Sequence, residues 1–151
     1  MRTRLLFFLL AAALFTSCEY NYMDTLRGRV AHTWEYEEVV EIEYTTWWYN
    51  NTDITDEFKD KTITFFLDGS LTQINSNTGL EETGIWHIEE QQFTNTDGTA
   101  TTEYVLLYTL EDTTSNSTQL IFGENFAVNN KRLRYTDDSD SGLVRYTLRH
   151  H

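Results

Sequence analysis

The sequence predicts one all-β domain, an antiparallel sandwich or up-and-down barrel of about eight strands. Three observations carry the prediction. Residues 34–44 alternate with a period of two, as a half-buried strand does. Short β-rich runs follow it, separated by turn-forming residues. The chain has no proline, so no position is barred from donating to a strand ladder.

The start of the chain has a different character. Arg2 and Arg4 precede an unbroken apolar stretch from Leu5 to Phe15, and Thr16 and Ser17 follow. That is the layout of a secretory signal, and the stretch is shorter than the roughly 20 residues a spanning helix needs. Leu14-Phe15-Thr16-Ser17-Cys18 resembles a bacterial lipobox. The resemblance implies cleavage before Cys18, a diacylglyceryl group on its thiol and acylation of the new amino end. The expected product is a cell-envelope, outer-membrane lipoprotein, with residues 1–17 as signal peptide, 18–25 as lipidated tether and 26–151 as the domain. Each buried methylene contributes about 0.8 kcal/mol, so several acyl chains make the attachment stable where one would be reversible. Cys18 is the single cysteine, so once it is lipidated packing alone must hold the fold.

Without Arg2 and Arg4, the 11 Lys and Arg fall to nine against 24 Asp and Glu, a net charge of −15. That charge argues against a nucleic-acid or anionic-lipid surface as partner. The acids are interleaved with apolar residues rather than gathered in a tail, as on the wet face of a sheet. Asp24 to Val30 supplies a short helix with Asp24 as its N-cap.

Trp34, Tyr36, Glu38, Val40, Ile42 and Tyr44 form one face of the first strand, and Glu35, Glu37, Val39, Glu41 and Glu43 the other. The aromatic face is the expected core face. Glu38 is its exception, an acid that needs a partner or a wet cavity. Trp47-Trp48-Tyr49 follows, beside the polar stretch from Asn50 to Asp60. These rings cap a barrel mouth or stack on a ligand; alternatively, the strand simply continues. A hairpin through Thr45-Thr46 would return them over the face that carries Glu38.

Further strands are expected over 62–67, 70–74, 83–89, 104–110, 118–122, 126–128, 132–136 and 143–148. Asp68-Gly69, Asp97-Gly98, Asn129-Asn130 and Asp140-Ser141-Gly142 mark the turns between them.

Leu26-Arg27-Gly28 ahead of Thr33-Trp34, the Phe66-Leu67-Asp68-Gly69-Ser70 hairpin and the Gly84-Ile85-Trp86 strand entry together resemble the lipocalin-like lipoproteins of Bacteroidetes. The likeness spans most of the mature chain, with His32-Thr33 where that family carries glycine. It implies a meander barrel or half-barrel and no particular activity.

The chemistry-bearing residues do not assemble into a catalytic set. No Gly-x-Ser-x-Gly turn occurs, and His32, His87, His150 and His151 lack metal-ligand spacing. Asp137-Asp138-Ser139-Asp140-Ser141-Gly142 has the short oxygen-bearing side chains of a calcium loop, but Leu148 stands where the closing acid belongs, and a polar turn is the plainer reading. The acids Glu35, Glu37, Glu41 and Glu43 are read as solubilising. No cofactor, no metal and no enzymatic activity are expected.

The preferred expectation is therefore a membrane-tethered binding module for a small apolar or glycan ligand, using Glu38, Trp47, Trp48 and Tyr49. The alternative is an accessory protein with a solid core that docks onto an envelope protein. A cavity of several hundred Å3 favours the first, and a filled interior with an exposed apolar patch the second.

Overall fold

A computed structural model of the chain describes residues 22–44, 46–112, 116–139 and 142–151. Cys18 and the signal segment lie outside the described residues. The expected helix is α1 (Tyr22–Val30), with Asp24 in its first turn and Arg27 and Arg29 in its last, the favourable sense for its dipole. It starts inside the stretch expected as tether. Leu26 and Val30, one turn apart, are both buried, and that shared face ties the helix to the core.

Among the described residues nine strands follow: β1 (Thr33–Tyr44), β2 (Tyr49–Asp53), β3 (Lys61–Phe65), β4 (Ser70–Asn75), β5 (Glu81–Thr94), β6 (Ala100–Asp112), β7 (Ser117–Val128), β8 (Arg132–Ser139) and β9 (Gly142–His150). Their order is β2-β1-β3-β4-β5-β6-β7-β8-β9, and β1 also pairs with β9. Eight strands, β1 and β3 to β9, thus close into an antiparallel meander barrel, with β2 added outside the closure. The all-β meander barrel read from the sequence is the observed fold, and it is closed rather than half-open.

Two features of β1 depart from the sequence reading. Opposite β9 its register shifts between Tyr36 and Glu38: Tyr36 faces Leu148, yet Glu38 already faces Thr147. This β-bulge inserts one extra residue and swaps the faces of everything beyond it. Trp34 and Tyr36 point inward before the bulge and Val39 after it, joining the core cluster. Glu38 is exposed on the outside, so the expectation that it lies on the apolar face is corrected. The second departure is β2. The aromatic segment turns back after Tyr44 as expected, but Tyr49–Asp53 pairs edge to edge with the far half of β1 instead of lying over a face.

β3 resumes the same side of β1, pairing with Thr33 to Glu35. Between β2 and β3 the chain leaves the ladder through a 3-10 turn, η1 (Thr55–Glu57). Ile54 N–H donates to the Val39 carbonyl at 2.9 Å, and the Thr55 hydroxyl accepts from Val39 N–H at 2.8 Å. The side chain thereby stands in for the missing strand neighbour.

The interior divides by end. At the helix end the Trp34 indole N–H donates to Val30 O at 2.8 Å and the Trp86 indole to Phe66 O at 2.8 Å, so both rings are buried with their polar atoms satisfied. The glycine of the Gly84-Ile85-Trp86 entry is a steric necessity. A Cβ there would lie 1.8 Å from the Thr109 carbonyl of the neighbouring strand β6. Asp68 and Asp97 each cap a hairpin at this end, accepting from the N–H and the hydroxyl two residues on. Both precede a glycine with positive φ.

Candidate functional site

Away from the helix end, at the level where β3 begins, the barrel is polar inside. Tyr36, Tyr108, Tyr135 and Tyr146 all belong to the core cluster, brought together by the inward positions of β1, β6, β8 and β9. The Tyr36 hydroxyl donates to Gln73 Oε1 at 2.6 Å, and Gln73 Nε2 donates to Glu82 Oε2 at 2.6 Å. The hydroxyls of Tyr108 and Tyr135 are 2.6 Å apart, and the Tyr135 ring stacks on Tyr146 at 4.9 Å. Gly123 makes room for this arrangement, since a Cβ there would come within 3.1 Å of the Tyr135 side chain.

A cavity of about 110 Å3 opens among these groups, bordered by Tyr36, Phe58, Lys61, Glu82 and Tyr146. Phe58, half-buried on the connection after η1, acts as its stopper. Its ring centre lies 5.0 Å from Tyr36 and 5.9 Å from Tyr146, and the Lys61 ammonium sits 4.7 Å above it. The Tyr146 hydroxyl makes no hydrogen bond among the described residues, so it presents a free donor and acceptor to the cavity.

Burial sets the chemistry of this end. Desolvation pushes the Tyr146 phenol up to about 12 and raises Tyr36, Tyr108 and Tyr135 as well. All four are neutral at physiological pH, able to donate and accept hydrogen bonds but not to serve as bases. Asp137, read from the sequence as part of a polar turn, lies instead in β8 with its side chain buried. It accepts from Phe122 N–H at 3.0 Å, and burial, with Asp138 beside it, raises its carboxyl above the ordinary value. Among the described residues no group of three His, Cys, Asp or Glu is placed to hold a metal.

The residues singled out in the sequence lie elsewhere and apart from one another. Trp47, Tyr44, Trp48 and Tyr49 are 85, 71, 68 and 67 % exposed and form the tip of the β1–β2 hairpin. Glu38 borders an open hollow on the outer wall with Asp53, Thr55, Arg132, Arg134 and Thr147. Next to it Arg132 grips Glu37 through two hydrogen bonds of 2.7 Å and holds that carboxyl below the usual range. Glu35 likewise accepts from Arg149 at 2.5 Å and pairs with His151. The barrel therefore does not join Glu38 and the aromatic rings into one site.

No family model, no curated protein and no solved structure matches the chain.

The tyrosine-lined end escaped the sequence reading. Its signal was available, because Tyr108, Tyr135 and Tyr146 each lie inside a predicted strand with aliphatic residues two positions away on the same face: Leu106 and Leu110 about Tyr108, Val144 and Leu148 about Tyr146, and Leu133 before Tyr135. What the pattern did not contain was the stagger of the strands, which brings these positions to one level.

Proposed function

We propose that the chain is a lipid-anchored, non-enzymatic envelope lipoprotein of the lipocalin-like type that works by docking onto another envelope component. The observation that supports this reading most is a contrast. The cavity at the tyrosine-lined end of the barrel holds about 110 Å3, whereas four large aromatic side chains crowd one exposed hairpin tip. A drug-sized ligand needs at least about 300 Å3. Clustered exposed rings mark an interaction surface.

The direction of the tip fits a tether at Cys18. The helix that follows the expected anchor closes one end of the barrel, and β1 runs away from it for 12 residues. At about 3.3 Å per residue the tip is then displaced by up to roughly 40 Å from that end, facing away from the membrane that would hold the chain. A second reading, a small ligand at the barrel mouth, is favoured by the Tyr146 hydroxyl beside the cavity, which has no hydrogen-bond partner among the described residues. A ligand there is compact and polar unless Phe58 swings aside.

The test is a photo-reactive residue in place of Asn50 in the acylated protein, illuminated in its own membranes. Docking yields a discrete cross-linked species that Trp47→Ala with Trp48→Ala removes. The same probe at Ser76, exposed on a different turn, yields none. Loss of the adduct at position 50, with no response to the tryptophan changes, would discard this reading in favour of the mouth.

A further inference from the structure

The strand that carries the aromatic tip has an open side. Among the described residues β2 has one neighbour in the sheet, β1, and all five of its residues are exposed. Its register with β1 runs without interruption from Tyr49 to Asp53. Folded proteins guard a free sheet edge with lysine, proline, a bulge or an inward charge. Tyr49-Asn50-Asn51-Thr52-Asp53 contains no lysine, no proline and no bulge. Its one charge is turned onto the chain itself, Asp53 Oδ1 accepting from Thr55 N–H at 2.9 Å.

The ladder fixes which groups face outward. Ile54 N–H donates to Val39 O, and the register pairs Glu41 with Thr52 and Glu43 with Asn50. Hydrogen-bonded pairs recur every second residue in an antiparallel ladder. The N–H and C=O groups of Asn50 and Thr52 are therefore spent on β1, while those of Tyr49, Asn51 and Asp53 point to the open side.

Charge selects the occupant. Glu41 and Glu43 stand opposite Thr52 and Asn50 on β1, Asp53 ends β2, and Asp56 and Glu57 follow in η1. Of the nearby cations Lys59 is paired with Asp56 at 3.5 Å and Arg132 with Glu37, while Arg134 borders the outer hollow beside Asp53. A second copy would bring the same acids against itself, which opposes self-pairing. An extended segment bearing Lys or Arg gains from the acids and from the faces of the exposed rings. Resting on the docking reading above, we propose that the free edge of β2 takes up an extended basic segment of another protein as an added antiparallel or parallel strand.

The experiment uses the full acylated chain in detergent and a short synthetic peptide alternating lysine with valine. Strand addition slows amide exchange at Tyr49, Asn51 and Asp53 by about tenfold or more, with little change at Asn50 and Thr52. Asn51→Pro removes an outward N–H without touching the β1 ladder, so it abolishes the effect. Should that variant not fold, the peptide N-methylated on alternate residues gives the same answer, because it must fail on the unaltered protein. If the peptide perturbs tryptophan fluorescence yet leaves those three amides unprotected, strand addition is overturned while docking through the rings stands. Equal binding of a glutamate-for-lysine peptide overturns the charge argument. No binding of the basic peptide also sinks strand addition, and the cross-link at position 50 decides the docking reading on its own.

Discussion

Single side chains divide between those that hold the barrel and those that hold nothing inside it. Trp34 and Trp86 are buried with their indole N–H groups bonded to backbone carbonyls. Alanine at either position is expected to cost about 3–5 kcal/mol, read as a large fall in the denaturant midpoint. The buried phenols predict an alkaline transition. Tyr146 is raised from 10.0 to about 12, so its contribution is complete below pH 10 and disappears as pH rises through about 12. Circular dichroism and tyrosinate absorbance should change together in that window; independent ionisation near pH 10 with the fold intact would refute the packing described here. Asp137 shows the same sign at the acid end. Its raised carboxyl makes the charged form a cost at neutral pH and removes that cost as pH falls through the folded value. Asp137→Asn keeps an acceptor for Phe122 N–H, so the variant should melt higher than the parent at neutral pH and converge with it in acid.

At the scale of elements, periodicity revealed the strands, and what it missed has identifiable causes. The run from Trp34 to Tyr44 reads as one unbroken alternation because Val39 and Val40 are both apolar, so either face of the second half looks like a core face. The doubled acids Glu37-Glu38 followed by the doubled valines are the mark of a parity change, and a reading alert to such doublets places the bulge there. Thr118 to Phe122 and Phe126 to Val128, expected as separate strands, are one strand, β7, with irregular pairing between Glu124 and Ala127 and positive φ at Asn125. β2 was illegible because Tyr49-Asn50-Asn51-Thr52-Asp53 buries nothing and so carries no alternation to find. Two measurements check this level. Glu38→Gln should change stability by no more than about 0.5 kcal/mol, as an exposed side chain does, where a buried acid would respond strongly. Thr55→Val deletes the stand-in partner of Val39 and should cost about 1 kcal/mol, with faster exchange at the Val39 amide.

For the molecule as a whole, the absence of proline, the Asp-Gly turns and the run of short strands were enough to read an antiparallel meander of the right strand number. Closure was not readable, since it depends on β1 meeting β9, and no local pattern reports a pairing across that much chain. The candidate site was the least legible part. The sequence pointed to Glu38 and the rings at 47 to 49 as one end of the domain, whereas the bulge sends Glu38 to the outer wall and the β1–β2 hairpin carries the rings beyond the barrel. Charge patterning fared better as a guide to the surface, because most acids remain on the wet side and those near β2 define the chemistry of its open edge.

The seam between β1 and β9 also governs how the chain reaches its fold. Trp34 pairs with His150, and Glu35 bonds with Arg149, 114 residues further on. Contacts of such separation raise the loop-closure cost that must be met before the pairing returns any energy, and all-β chains of this kind fold in milliseconds to seconds rather than microseconds. Until β9 is available, β1 has an open side along most of its length and β8 has another, so a chain arrested before Gly142 presents two sticky borders that β9 covers in the finished barrel. A truncation at that point is expected to aggregate, and adding β9 back as a separate peptide should restore a monomer.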